Sequence, residues 1–177
     1  MLTILQAETS EHVNTARQMI EEYAAWLEFK LCFQGFEEEM RSLPGKYSPP
    51  AGRLLIALWD GKPAGVIALR PLDEPGLCEM KRLYVRPEFR GHQIGWLLAE
   101  RIIHDATEAG YSRMRLDTVA GQMDSAIAMY RELGFAETTP YYQTPIGQTL
   151  FMELKLAPKK SARSASRHQA ICEKSEQ

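Results

Sequence analysis

Long apolar runs are missing. No stretch of the 177 residues approaches the roughly 18 uninterrupted apolar positions a membrane-spanning helix needs. The opening MLTILQAETSEHV has no basic flank and no long apolar core, so it does not read as a secretory leader. Cysteine is scarce: Cys32, Cys78 and Cys172 are three and scattered, which argues against a disulfide framework or a zinc cluster and for a reducing cytoplasm. Four histidines, His12, His92, His104 and His168, show no paired ligand spacing, so no metal is expected. Neither a G-x-x-x-x-G-K-[ST] loop nor a G-x-S-x-G elbow occurs, which argues against a P-loop nucleotidase and a serine hydrolase of that type. A large excess of charge is missing too: the net charge is -2, which excludes a wholly basic nucleic-acid binder.

What is present is globular composition, 45% hydrophobic and 25% charged, in a length that suits one domain with a sizeable core. Charge is uneven. Residues 158–177 carry five Lys and Arg against two Glu and little that is apolar. That segment reads as a mobile basic tail on a single domain of residues 1–157, because it cannot bury enough surface to offset the entropy of ordering. The tail could touch an acidic partner, and a nucleic-acid arm would show salt-sensitive binding lost on its deletion.

Hydrophobic spacing places the elements. Leu2–Leu5 reads as a strand. Val13, Ala16, Ile20, Tyr23, Ala24 and Leu27 form one helical stripe behind an N-cap at Thr9 or Ser10. Residues 30–43 read as an irregular helical segment, and Leu43–Gly52 as a loop. Arg53–Trp59 and Pro63–Arg70 read as strands joined by a tight Asp60-Gly61 turn. Then come a strand Leu77–Val85, a helix Ile94–Ala109, a strand Met114–Val119, a short helix Ser125–Leu133, and strand from Phe135 on and over Gly147–Leu156. The strand–helix–strand unit of residues 77–119 predicts a parallel pair. The fold class is α/β (α+β): a mixed, mostly antiparallel sheet of six to seven strands with helices on both faces.

The segment richest in chemistry is Leu83-Tyr84-Val85-Arg86-Pro87-Glu88-Phe89-Arg90-Gly91-His92-Gln93-Ile94-Gly95. A strand ends at Val85, Pro87 stops it, and a helix begins past Gly91. Gly91 and Gly95 remove side chains where a ligand would approach the backbone. A helix start offers unpaired amides and the positive end of a dipole, and Arg90 adds a fixed charge. Such a turn suits an anion, a pyrophosphate among them, and also occurs with no ligand at all.

The pattern Tyr84-Val-Arg-Pro-x-x-Arg-Gly-x-x-Ile-Gly, with Ala126-Ile-Ala-Met-Tyr130-Arg-Glu-Leu-Gly134-Phe135 about 30 residues later, resembles the GNAT superfamily of acyl-CoA-dependent N-acyltransferases. The likeness spans roughly residues 2–156 and two motifs. It implies acetyl-CoA as co-substrate. Backbone groups of Leu83 and Val85 would pair with the pantetheine arm beside Tyr84. Amides from Arg90 through Gly91, His92, Gln93 and Ile94 to Gly95 would hold the pyrophosphate. Tyr130 would stand near the thioester sulfur. The sequence departs twice from the family pattern: Gln93 replaces the middle glycine, and Met123 stands where an asparagine is usual. Neither change removes a backbone donor.

Acyl transfer to an amine needs a neutral amine, a donor for the developing oxyanion and a proton for the leaving thiolate. A backbone N–H at the end of the Leu83–Val85 strand could serve the oxyanion, and the Tyr130 phenol the thiolate. Glu79 is the candidate for accepting the amine's proton; by period two it shares a strand face with Lys81, Leu83 and Val85, and a salt-bridged glutamate is the competing reading. Cys78 reads as a buried thiol. The resemblance sets the acceptor between the first helices and the last loop, with Tyr23, Trp26, Phe29 and Phe33 on one side and Tyr141 and Tyr142 on the other; core packing is the plainer reading of Tyr23, Trp26 and Phe33. The expected function is transfer of an acetyl group to a primary amine, on a small molecule or a peptide, by direct attack in a ternary complex. A non-catalytic acyl-CoA-binding or sensing module is the competing class. A homodimer fits either.

Overall fold

The computed structural model describes residues 1–27 and 35–157. Phe29, Phe33, Cys32 and the basic tail therefore lie outside the described residues.

Seven strands form one sheet in the order β1-β2-β3-β4-β5-β7-β6. They are β1 (Leu2–Gln6), β2 (Arg53–Trp59), β3 (Lys62–Pro71), β4 (Leu77–Val85), β5 (Arg113–Val119), β6 (Ala136–Glu137) and β7 (Thr149–Lys155). The helices are α1 (Ser10–Trp26), α2 (Phe36–Ser42), α3 (Ile94–Glu108) and α4 (Asp124–Glu132). Every neighbouring pair is antiparallel except β4 and β5, which α3 joins. The mixed sheet and the parallel pair match the expectation from spacing.

Alternation along β2 and β3 builds a core on each face. Leu55, Ala57, Ile67 and Leu69 pack with Leu98, Ile102 and Ala106 of α3, while Leu54, Ile56, Val66 and Ala68 pack with Ala16, Met19 and Ile20 of α1. Each fully buried Leu, Ile, Val or Met among these contributes about 1.5–3 kcal/mol. Thr9 caps α1 by accepting from the His12 amide at 3.2 Å. The β2–β3 hairpin turns on Asp60 and Gly61, both at positive φ (48° and 78°), as a tight primed turn demands. Among the described residues no helix is long and apolar enough to cross a membrane.

Two local features shape the site, and neither is visible in spacing. First, β4 carries a bulge. Val66 pairs with Tyr84 but Ala68 with Lys81, so two residues, Arg82 and Leu83, oppose one, and Arg82 sits at φ +60°. The bulge inverts the alternation. Glu79 and Lys81 do not share a face with Leu83 and Val85, which pack instead into the core of Cys78 and Met80. Second, β4 and β5 separate. Their pairing covers Leu77–Glu79 with Arg113–Arg115 and stops, while β5 continues against β7 as far as Val119. Beyond Glu79 the two parallel strands diverge.

Candidate active site

The divergence opens a cavity of about 490 Å³. Leu83, Tyr84 and Val85 form one wall and Leu116, Asp117 and Val119 the other; α4 closes one side through Ala126, Met129 and Tyr130, and α1 the opposite side through Tyr23 and Trp26.

At one end stands the start of α3. Pro87–Phe89 makes a single tight turn, and the Arg90 amide donates back to Pro87 at 3.2 Å. Gly91 (φ +86°) and Gln93 (φ +58°) then take left-handed backbone, and Ile94 is driven into the core. The first amide of this helix to find an acceptor is that of Leu97, on Gln93 at 3.0 Å. Among the described residues no acceptor takes the amides of Gly91, His92, Gln93, Ile94, Gly95 or Trp96. They remain as a cradle of donors at the positive end of a helix. The place of the family's middle glycine is filled by Gln93 in the left-handed region, at a cost of roughly 1–2 kcal/mol. The His92 ring lies on Trp59 with centroids 4.6 Å apart, which leaves its amide as its contribution. Arg90 donates from Nε to the Val85 carbonyl at 3.2 Å and rests over the Trp26 ring at 5.6 Å. Gly95 and Val85 both line the cavity.

The middle of the cavity holds Tyr130. Its ring packs edge-on against Phe135 at 5.8 Å, and burial raises its phenol above the ordinary value, with Tyr23 and Asp117 adding to the rise. The phenol therefore keeps its proton at neutral pH. The Tyr23 phenol, from α1, is likewise pushed by burial up to about 12, with Arg82 and Asp117 acting on it in opposite senses. Met123 takes the Thr118 hydroxyl on its sulfur at 3.4 Å.

The carboxylates fall differently from expectation. Glu79 is 0% exposed and does not line the cavity. One of its oxygens accepts from Arg70 at 2.6 Å and the other from the Tyr141 hydroxyl at 2.9 Å, with the Lys81 ammonium 3.7 Å away. The inverted alternation after Arg82 puts it there. Asp117, on β5, borders the cavity and holds the Lys81 ammonium at 3.3 Å. Tyr141 is also off the wall: its ring meets Phe151 at 5.0 Å beneath Arg115, and it serves to hold Glu79. Tyr142 does line the cavity. Trp26, 44% exposed, borders it on the Arg90 side, next to the cradle. Cys78 is fully buried, and burial pushes its thiol up to about 12, so it holds no reactive thiolate.

Sequence reading missed Asp117, and it weighed Lys81 and Arg82 only as ion-pair partners of Glu79; Tyr23, expected on the acceptor side, does line the cavity. Asp117 carried a signal. It lies near the C-terminal end of the strand parallel to the motif strand, where crevices open in such sheets. Among the described residues no three His, Cys, Asp or Glu side chains gather as a metal would need.

Comparison with known proteins places the family and the fold. The sequence model of the acetyltransferase (GNAT) family matches residues 16–135. The chain belongs to that family. An uncharacterized N-acetyltransferase of Schizosaccharomyces pombe is 36% identical over 157 residues, covering 88% of this chain and 96% of that protein. Among solved structures, a GNAT-family acetyltransferase of Staphylococcus aureus superposes with TM-score 0.72 at 17% identity, covering 89% of this chain and 100% of that one. The PaiA N-acetyltransferase of Thermoplasma acidophilum, crystallised with coenzyme A, superposes with TM-score 0.67 at 18% identity, covering 88% and 99%. At these identities the structural likeness speaks for the fold.

Proposed function

We propose that this GNAT protein transfers an acetyl group from acetyl-CoA to a primary amine by direct attack in a ternary complex. One observation carries the reading: a row of unclaimed amides at the start of α3 opens onto a cavity that runs between diverging strands to a phenol and a carboxylate. The residues present fit the co-substrate. Amides of Gly91 to Gly95 can take a diphosphate, assisted by Arg90. The edge of β4 that β5 leaves uncovered past Glu79 can take an amide-bearing arm as though it were a strand. Bound there, acetyl-CoA supplies an activated thioester carbonyl.

The chain's own groups divide the remaining work. Asp117 accepts the proton that the acceptor amine gives up on attack. Tyr130, held protonated by burial, donates its proton to the departing sulfur. Lys81 holds Asp117 in place from β4. Glu79 positions Lys81 and Tyr141 and touches neither reactant. No covalent intermediate on the protein is required, in keeping with the inert Cys78.

A pure acyl-CoA-binding module would need the cradle and the cleft, and would leave Asp117 and Tyr130 without a task. The test is release of free thiol from acetyl-CoA in the presence of a panel of primary amines, alongside calorimetric titration of coenzyme A. Amine-dependent release supports transfer. Tight binding with no amine-dependent release across the panel selects the binding module, and no binding overturns both.

A further inference from the structure

The cavity floor holds a cation with half of its hydrogen-bonding edge unspent. Arg82 stands at the β4 bulge with its side chain only 3% exposed. Its Nε and Nη2 donate to the two oxygens of Glu39 at 2.8 and 2.6 Å, and Glu39 is held in turn by the Tyr47 hydroxyl at 2.8 Å. The Phe36 ring lies 5.4 Å from the guanidinium carbon. One edge of the guanidinium is thus locked by a fork and one face by a ring. Nη1, on the other edge, has no acceptor among the described residues. It is not among the buried polar atoms left without a partner, which are Gln6 Nε2 and His12 Nδ1. Arg82 itself borders the cavity, the open space next to this uncommitted edge.

Its neighbours have no such surplus. Lys81 is taken by Asp117 and Glu79, and Arg70 by Glu79. Arg90 stands beside the cradle, over Trp26. Arg82, Asp117, Tyr23 and Tyr130 all line the same cavity.

We propose that Arg82 binds a carboxylate carried by the acceptor, which makes the acceptor an amine with an acidic group, its nitrogen directed to Asp117. The inference rests on the acyl transfer argued above and names its substrate class. A guanidinium already buried and stacked on Phe36 loses little freedom on binding, and the donor on its free edge suits a carboxylate oxygen. Glu39 already neutralises Arg82, so the incoming carboxylate shares the cation; the expected discrimination is about 10- to 100-fold, below what an unshared site achieves. The carboxylate could belong to a free amino acid or to an acidic first residue of a peptide.

The test uses the full chain, acetyl-CoA and thiol release with matched acceptors: alanine, alaninamide and ethylamine, then the dipeptides Asp-Ala and Asn-Ala. At least a tenfold higher kcat/KM for alanine over alaninamide, or for Asp-Ala over Asn-Ala, supports the inference and tells which source supplies the carboxylate. Arg82→Lys should remove most of that preference through KM while leaving coenzyme A binding intact. Glu39→Gln, which keeps the guanidinium and one of its bonds but removes the charge that shares it, should retain it. Equal rates for acid and amide in both series overturn the inference even if Arg82→Lys fails to fold. Loss of preference in Glu39→Gln equal to that in Arg82→Lys overturns it as well, since Arg82 would then act through packing alone. Amine-dependent release without acid preference sinks this inference and leaves acyl transfer standing. Absence of coenzyme A binding sinks both.

Discussion

Gly95→Ala should make the protein more stable and a poorer binder of coenzyme A. Gly95 is the second residue of α3 and does not use left-handed backbone. A Cβ there would meet Val85 Cγ2 at 3.7 Å, an ordinary contact, so the fold can accept alanine without a shift. Replacing glycine within a helix gains about 0.5–1 kcal/mol. At about 2–4 °C per kcal/mol for a chain of this size, the ligand-free Tm should rise by about 1–4 °C. The methyl would also stand in the gap between the start of α3 and Val85, both of which line the cavity. A ligand that must come within hydrogen-bond distance of those amides is pushed back. The expected weakening is about tenfold in Kd, or ~1.4 kcal/mol. Thermal melting without ligand and calorimetric titration with coenzyme A read the two effects separately. A raised Tm with an unchanged Kd would refute the reasoning, because the amides would then not be the diphosphate's seat. A lowered Tm would refute it differently, by showing that the glycine is there for packing.

Tyr130→Phe keeps the ring against Phe135 and removes the proton donor, so turnover should fall about 10²–10⁴-fold in the thiol-release assay with coenzyme A affinity within twofold; unchanged turnover removes Tyr130 as the acid. Asp117→Asn should lower kcat about 10²–10⁴-fold with coenzyme A affinity within twofold, and unchanged turnover removes Asp117 as the base. Glu79→Gln should cost about 2 kcal/mol of stability, since it weakens the charged bond to Arg70, with a far smaller loss of turnover than Asp117→Asn; an equal loss would return the base role to Glu79. Glu39 gives an acid signature. Burial alone would raise its carboxyl, but the Arg82 fork and the Tyr47 hydroxyl outweigh burial and hold it below the ordinary value. A carboxyl depressed in the folded state stabilises fully above its unfolded value and loses that contribution as pH falls through the folded one. Chemical denaturation should therefore show stability dropping below about pH 4, and Glu39→Gln should lessen that drop.

Much of the frame was legible because it rests on local rules. Alternation in Arg53–Trp59 and Lys62–Pro71 gives both cores their strands, and Asp60-Gly61 can hardly do anything but turn. The cradle was legible for a similar reason. A strand that must stop at Pro87 and a helix that cannot begin before Gly91 leave several amides without partners whatever the rest of the chain does. The acceptor end was not legible, because its residues come from elements far apart in sequence. Asp117 meets Lys81 over 36 positions, Arg82 meets Glu39 over 43, and Tyr141 meets Glu79 over 62. Tyr141 looked like a pocket residue because it sits in a polar loop; its hydroxyl is in fact consumed by a buried carboxylate.

The misplacement of Glu79 has a single physical origin, and the same origin builds the site. One extra residue in β4 breaks the period of two at Arg82. The strand therefore presents Leu83 and Val85 to the α3 side and sends Lys81 and Arg82 toward α1 and α2. A regular strand would have set Glu79, Lys81, Leu83 and Val85 on one face, burying a carboxylate and an ammonium among the aliphatics that support α3. Arg82 holds a left-handed φ with a long side chain, at a cost of roughly 1–2 kcal/mol. Glycine would remove that strain, but it would also leave Glu39 and Tyr47 without their cation in a buried place, and the larger penalty of about 3–5 kcal/mol decides which residue the bulge can carry.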